Sequence, residues 1–510
     1  MCAALSAPGE RLTDFIPAMK RRLLPYLTML FGWLLLPGMV VAQSDAPLRV
    51  ELPAAKDQHD YNMAPADTMG LFVFYDAGSI SADTNRWIFL HYDSNLVKIN
   101  TSNVFLPPTT DFIASDYSDG TLYLLMQKRI PKKTPPRTFI VAITPEKRTL
   151  EVSEIDGIQA NDLSGIYAAG GHLLLLATGA KSDLVYFYHP SIHKLTTLSD
   201  IFSYKVEFRT ADTAARRWLI GLHQISSVQD DLFLYEYNWT DGSGNLVRFP
   251  QQLPDHTNVL CQTAHAFPLN TDTTLLLGTY NKISDRQSVN LHSGVYSVLF
   301  TRHQFDTLQT YNFTSLKSGS AANTPNANLN LQLQLGASVC TSEQYSIVSE
   351  VYYPDYSYTY NNHYNDYNYY SSAPTTVFLG YQFVNAYITT FDRTGHLLWD
   401  HYFPLTSISN MQLGPVLHLS YIGEDALIYY TRNNRLSSTL INGYETLEKL
   451  TSMSIETMST RDVVEYSDGI GIQRWYGDNF IVSGYHYLRN RDKSTKAKRY
   501  VFFINKIEYR

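Results

Sequence analysis

One hairpin returns along this chain, and that recurrence limits its possible folds more than any single motif does. Its first instance is a β-branched and aromatic run at 112–117, the turn Asp119-Gly120, and a strongly apolar run at 121–127. Six more hairpins keep the same order: 165–169 with 172–178 across Gly170-Gly171, 205–210 with 218–224, 260–267 with 274–280, 335–340 with 345–352, 416–421 with 426–431, and 470–475 with 480–487. Asp-Gly and Gly-Gly supply the positive φ angles that tight hairpins require.

After a connection of variable length, each unit has a third run and usually a fourth: 139–144 with 149–154, 184–189 with 194–198, 232–238 with 246–249, 294–301 with 307–313, 386–392 with 396–403, and 436–442 with 446–450. The final third run, 500–506, has no fourth. Upstream, 71–75, 87–92 and 96–104 form one more partial unit, which makes about eight. No helical periodicity of any length interrupts them. Repeated antiparallel four-stranded units that cover their faces only by stacking on neighbours describe a β-propeller. The expected fold is therefore all-β, a single propeller of about eight (alternatively seven) blades. An N-terminal strand at 48–52 would close the ring by supplying the outer strand missing from the last unit. A pair of β-sandwiches is the competing architecture.

Composition narrows the partners. Lys plus Arg (40) falls below Asp plus Glu (47), and charged residues are only 17% of 510, which argues against a nucleic-acid binder or a charge-rich coiled coil. Lys20, Arg21 and Arg22 precede an apolar run at 23–36, then Pro37-Gly38 and small residues up to Ala42, the parts of a secretory signal peptide. Residues 1–42 are read as that leader, with cleavage after Ala42 and with 1–18 an upstream start ahead of Met19; residues 43–510 are the propeller. No Cys directly follows the apolar run to make a lipid-anchor site, and no later window is long and apolar enough to span a bilayer. The mature chain is expected to be exported, periplasmic or extracellular, with no transmembrane segment. Cys2 leaves with the leader, so Cys261 and Cys340 face an oxidising compartment, either as a disulfide or as two buried free thiols.

In a propeller, every connection between second and third strands emerges on one face, and all the long insertions fall there: 128–137, 281–293, 353–383 and 488–499. That face is the candidate binding face. The insertion at about 353–383 holds nine Tyr between Tyr352 and Tyr370 and almost no aliphatic residues, so it cannot build a core of its own. Tyr353, Tyr356, Tyr358, Tyr360, Tyr364, Tyr367, Tyr369 and Tyr370 are candidate contacts, because Tyr offers a flat apolar area and a hydroxyl at low entropic cost. Lys132, Lys133 and Arg137 in one basic loop, and Arg489, Arg491 and Lys498 in another, belong to the first and last full units and would lie near one another in a closed ring. They are candidates for an anionic surface or a glycan.

Signatures of catalysis are missing: no nucleophile elbow, zinc helix, phosphate loop or calcium loop occurs, and no cofactor is expected. His363 with Asp355 and Asp366 is a poor metal set, and no metal is assigned. Asp116, Arg209, His265 and His418 fall on inner strands as channel candidates, and catalysis would need at least two of them in one cavity.

Five stretches, LLLGTYN at 275–281, SGVYSVLF at 293–300, TYNFTSL at 310–316, EVYYPDY at 350–356 and FDRTGHLLWDHYFPL at 391–405, give the chain a further reading. In their order and spacing it resembles a group of secreted bacterial propeller-like proteins of uncharacterised function. The resemblance implies fold and export but no activity. Where that group carries Lys and Glu after TYNF, this chain is rich in Ser, Ala and Asn at 317–330. The expected role is non-catalytic binding or scaffolding at the cell envelope, toward an envelope protein, peptide or glycan and not nucleic acid. The alternative is a propeller hydrolase or lyase acting on an extracytoplasmic carbohydrate.

Overall fold

The computed structural model describes residues 48–56, 61–128, 136–158, 163–178, 183–198, 205–214, 216–225, 231–253, 255–282, 293–317, 331–359, 375–411, 413–491 and 498–508. Within them lie eight antiparallel sheets, the blades of a β-propeller. A first strand, β1 (Arg49–Pro53), precedes blade 1, which holds β2 (Asn62–Pro65), β3 (Leu71–Ser81), β4 (Thr84–Tyr92) and β5 (Lys98–Leu106). Blade 2 is β6 (Thr110–Ser118), β7 (Thr121–Lys128), β8 (Arg137–Thr144) and β9 (Thr149–Ile155). Blade 3 is β10 (Leu163–Ala169), β11 (His172–Ala177), β12 (Leu184–His189) and β13 (Lys194–Thr197). Blade 4 is β14 (Lys205–Ala214), β15 (Arg217–Ile225), β16 (Asp231–Asn238) and β17 (Gly244–Arg248). Blade 5 is β18 (Val259–Pro268), β19 (Thr273–Lys282) and β20 (Gly294–Thr301), with its outer position split between β21 (Gln304–Phe305) and β22 (Gln309–Asn312). Blade 6 is β23 (Gln332–Cys340), β24 (Tyr345–Thr359), β25 (Thr375–Phe391) and β26 (Leu397–Asn410). Blade 7 is β27 (His418–Ile422), β28 (Asp425–Arg432), β29 (Arg435–Asn442) and β30 (Glu445–Ser454). Blade 8 is β31 (Asp462–Arg474), β32 (Asn479–Asn490) and β33 (Lys498–Glu508), and β1 completes it as the outermost strand.

The core is not central. Eight apolar clusters each lie in one seam between neighbouring blades. Strand β7 shows why its sequence is continuously apolar: Leu122, Leu124 and Met126 pack toward blade 1, whereas Leu125 packs toward blade 3. A strand buried on both faces shows no polar alternation. The inner strands β6, β10, β14, β18, β23 and β31 each carry a register shift, at Phe112/Ala114, Leu163/Gly165, Phe208/Thr210, Cys261/Thr263, Leu335/Ser338 and Val464/Tyr466. Bulges of this kind bend a strand and re-aim its side chains where the sheet meets the channel.

Ring closure is a ladder from Arg49↔Asn505 to Pro53↔Val501. Its first rung holds a buried guanidinium: Arg49 Nε donates to Glu51 (2.8 Å), Nη1 to the Glu456 carbonyl and to Asn505 Oδ1 (both 2.8 Å), and the group lies 4.4 Å over the Phe503 ring. Arg499 reaches the other oxygen of Glu51 (3.0 Å) and Asp462 (2.6 Å), so both buried carboxylates are matched. A buried charge needs such partners because desolvation costs several kcal/mol.

Candidate functional site

Connections between first and second strands, and between third and fourth, are tight turns on one face; the longer connections lie on the other. On the long-connection face a cleft of about 680 Å³ opens among blades 6, 7 and 8. Its walls are the end of β26 with the connection 411–417, the Asn433-Asn434 turn, and residues 467–472 of β31. Asn433 and Asn434 adopt φ 49° and 57°, the left-handed pair that a two-residue hairpin needs and that Asn tolerates. A second shift in β31, between Asp468 and Gly471, pushes that strand into the cleft wall.

Two buried networks fix the walls. Glu350 Oε1 accepts the Val416 and Leu417 amides (3.0 and 2.7 Å), Oε2 accepts from Gln334, and Gln334 also donates to the Gly414 carbonyl (3.0 Å). Glu350 thereby ties the connection into β27 back onto blade 6. His486 Nδ1 lies 3.3 Å from Arg49, so its Nε2 carries the proton and donates to Asn434 Oδ1 at 2.6 Å. The ring-closing Arg49 is thus linked through one imidazole to the cleft turn.

His418 lines this cleft and stacks on Tyr429 at 5.4 Å. Burial lowers its pKa to about 4, which makes it a neutral, weak base at pH 7. Beside the cleft, β24 and β25 run on as a two-stranded ribbon past their neighbours, from Asp355↔Gly380 to Thr359↔Thr375. The stretch read from sequence as an insertion at 353–383 is therefore strand over 353–359 and 375–383. The ribbon exposes Tyr356 on one face and Val377 and Leu379 on the other, and Met411 (66% exposed) and Leu413 are exposed on the cleft rim. Tyr356 leans on Phe378 (5.4 Å), which meets Tyr381 edge-on (5.1 Å).

Of the other candidates, Tyr353 is half-buried in β24 and Tyr358 pairs with Thr376. Tyr360, Tyr364, Tyr367, Tyr369, Tyr370, Lys132, Lys133, His363 and Asp366 lie outside the described residues. Arg137 is engaged by both oxygens of Glu154 (2.6 Å each), and Arg489 and Lys498 share Glu465 (2.5 and 3.2 Å), while Arg491 is exposed. The four channel candidates do not meet. Arg209 is held by Glu207 (2.8 Å) and His223 (2.9 Å), and His265 by the Gly336 carbonyl (3.2 Å). Asp116 lines a cleft on the tight-turn face together with Asp212, which sequence reasoning missed. Both thiols are free: Cys261 is buried in the seam of blades 4 and 5, and Cys340, read as buried, is exposed at the end of β23. Among the described residues no group of three or more His, Cys, Asp or Glu is placed to hold a metal, and no helix is long and apolar enough to cross a membrane.

No family model matches the chain, and no curated protein matches it. Among solved structures it is similar to the β-propeller domain of the Trilobed protease from Pyrococcus furiosus, described as having an open velcro topology (7% identity, 79% of this chain and 95% of that one, TM-score 0.37). It is also similar to the polysaccharide lyase Uly1 (8%, 78% and 89%, TM-score 0.41) and to the acylaminoacyl peptidase of Pyrococcus horikoshii (8%, 76% and 53%, TM-score 0.35).

Proposed function

We propose that the protein is an exported, non-catalytic binding or scaffold protein of the cell envelope that holds an extended polypeptide segment of an envelope partner along the ribbon and cleft of blades 6 to 8. One observation carries this reading: the β24–β25 ribbon exposes Val377 and Leu379 on one face and Tyr356 on the other, and Met411 and Leu413 are exposed on the rim of a cleft whose walls are fixed by buried hydrogen bonds. Surfaces of this kind mark interaction sites. The exposed groups are mainly aliphatic, which suits peptide side chains better than the flat face of a sugar. Along Tyr353–Thr359 no strand among the described residues pairs with the outer edge of β24, so backbone groups are open to an added strand. Catalysis receives no comparable support, because Asp116, Arg209, His265 and His418 are distributed over separate environments.

The test is capture from envelope extract by the mature protein and by the double variant Val377→Asp, Leu379→Asp. Both substitutions are at exposed positions and should leave the melting temperature unchanged. A partner crosslinked to the ribbon by the parent and lost from the variant is the expected result; equal capture by both would remove the ribbon from the site.

A further inference from the structure

On the opposite, tight-turn face, clefts of about 610 and 710 Å³ share Gly170, Arg216 and Trp239, so together they form one groove passing on both sides of the Trp239 indole. We infer that this groove is an oligosaccharide-binding site, separate from the ribbon and cleft and independent of the reading given to them.

Trp239 lies half-buried between the two lobes, edge-on to Trp218 (5.1 Å) and 6.3 Å from the His172 ring, and its seat depends on Gly170. A Cβ there would lie 2.6 Å from the indole nitrogen, and Gly170 has φ 56°, so only glycine lets the ring rest against the β10–β11 turn. Tyr167 and Tyr117 add aromatic surface to the first lobe. Below them Trp218 is wholly buried, and its indole N–H has no hydrogen-bond partner among the described residues.

Asp116 and Asp212 occupy matching positions, each third from the end of its inner strand. Each holds the inner strand of the next blade: Asp116 Oδ2 accepts the Ala168 amide (2.7 Å) while its Oδ1 accepts the Tyr117 amide (2.9 Å), and Asp212 Oδ2 accepts the Ala266 amide (2.9 Å). That leaves further lone pairs on rigidly held carboxylates. Burial raises the pKa of both. Arg216 is exposed in a left-handed conformation (φ 68°) and makes no ion pair among the described residues.

Flat aromatic faces flanked by fixed acceptors and a multidentate donor suit a ring that is apolar on its face and bears hydroxyls at its edge, which is a sugar. A polypeptide would use an open strand edge or aliphatic pockets; the outermost strand β13 and the exposed Ile192 border only the second lobe, and the first lobe holds no aliphatic side chain larger than alanine. Two lobes of this size on either side of one indole call for more than one sugar ring.

The experiment titrates the mature protein with a panel of neutral, N-acetylated and uronic-acid oligosaccharides, read by tryptophan fluorescence and calorimetry. At least one should bind, with affinity reduced about tenfold or more by both Trp239→Ala and Arg216→Gly. Glycine relieves the left-handed strain at 216, so that variant should melt at or above the parent temperature, and its lost binding cannot be put down to unfolding. If Trp239→Ala fails to fold, Arg216→Gly decides alone. No binding anywhere in the panel at about 10 mM, or binding that Arg216→Gly leaves intact, overturns the inference. The ribbon variant Val377→Asp, Leu379→Asp should bind sugar as the parent does, so the two sites fail or stand separately.

Discussion

Burial holds the Glu350 carboxyl at a pKa of about 7, although the Val416 and Leu417 amides and the Gln334 side chain all donate to it. Between the unfolded value of 4.5 and 7 the folded state therefore keeps a proton that the unfolded chain has released, and this group lowers stability as pH rises through that window. His418 and His486 act in the opposite sense. Burial lowers them to about 4 and about 3, with the Arg49 charge adding to the effect at His486, so their contribution is lost as pH falls below 6.5. Replacing Glu350 by Gln removes only the first effect. Relative to the parent, the variant should gain about 3 kcal/mol between pH 4.5 and pH 7 and nothing more above pH 8, measured by urea unfolding at each pH. A constant difference across the range would show that Glu350 does not titrate there. This residue was legible, since it is the lone acid in the apolar run 345–353, yet a single carboxylate in a strand announces no partner. Asp212 was legible too, because it precedes its turn as Asp116 precedes Asp119-Gly120.

At the scale of elements, the second strands of the blades were the clearest in sequence. Strand β11 alternates its leucines between two seams, Leu173 and Leu175 to one and Leu174 and Leu176 to the other, so every position after His172 is apolar. Other strands were less clear: the run read at 307–313 holds only β22, the other outer piece β21 precedes it, and β2 spans only four residues, one of them proline. The ribbon was missed because its first arm is mostly Tyr, Ser and Thr, which read as a polar loop until paired with Val377 and Phe378. The cleft had no local signature at all, since its walls come from three blades. Strand β1, in contrast, was expected at 48–52 and lies at Arg49–Pro53 because blade 8 lacks an outer strand without it. Deleting it should leave the β33 edge bare, remove Arg49 and Glu51, and leave Arg499 to Asp462 alone. Exposed edges of this length associate, so the truncated protein should elute as dimers or larger species, and a peptide RVELP added in excess should reverse this. A truncated protein that stays monomeric would show that the edge is protected by other means.

For the whole molecule, eight seams of comparable kind share the stabilisation, and among the described residues only the seam between blades 8 and 1 joins residues from both ends of the chain. The geometry of that joint has a mechanical meaning. Strands β1 and β33 are antiparallel, with Arg49 opposite Asn505 and Pro53 opposite Val501, so the chain leaves both strands at the Arg49 end. Tension applied at residues 48 and 508 therefore loads the rungs one after another, as a zipper is opened, rather than all together. The first rung to feel the load is the one clamped by the Arg49 guanidinium, which acts as a latch at the point where opening must begin. In single-molecule pulling, Arg49→Ala should lower the first rupture force while Pro53→Ala leaves it unchanged; equal forces for all three proteins would mean that the ring yields elsewhere. A fold whose blades resist crushing by packing would then owe its resistance to being pulled apart to a single arginine.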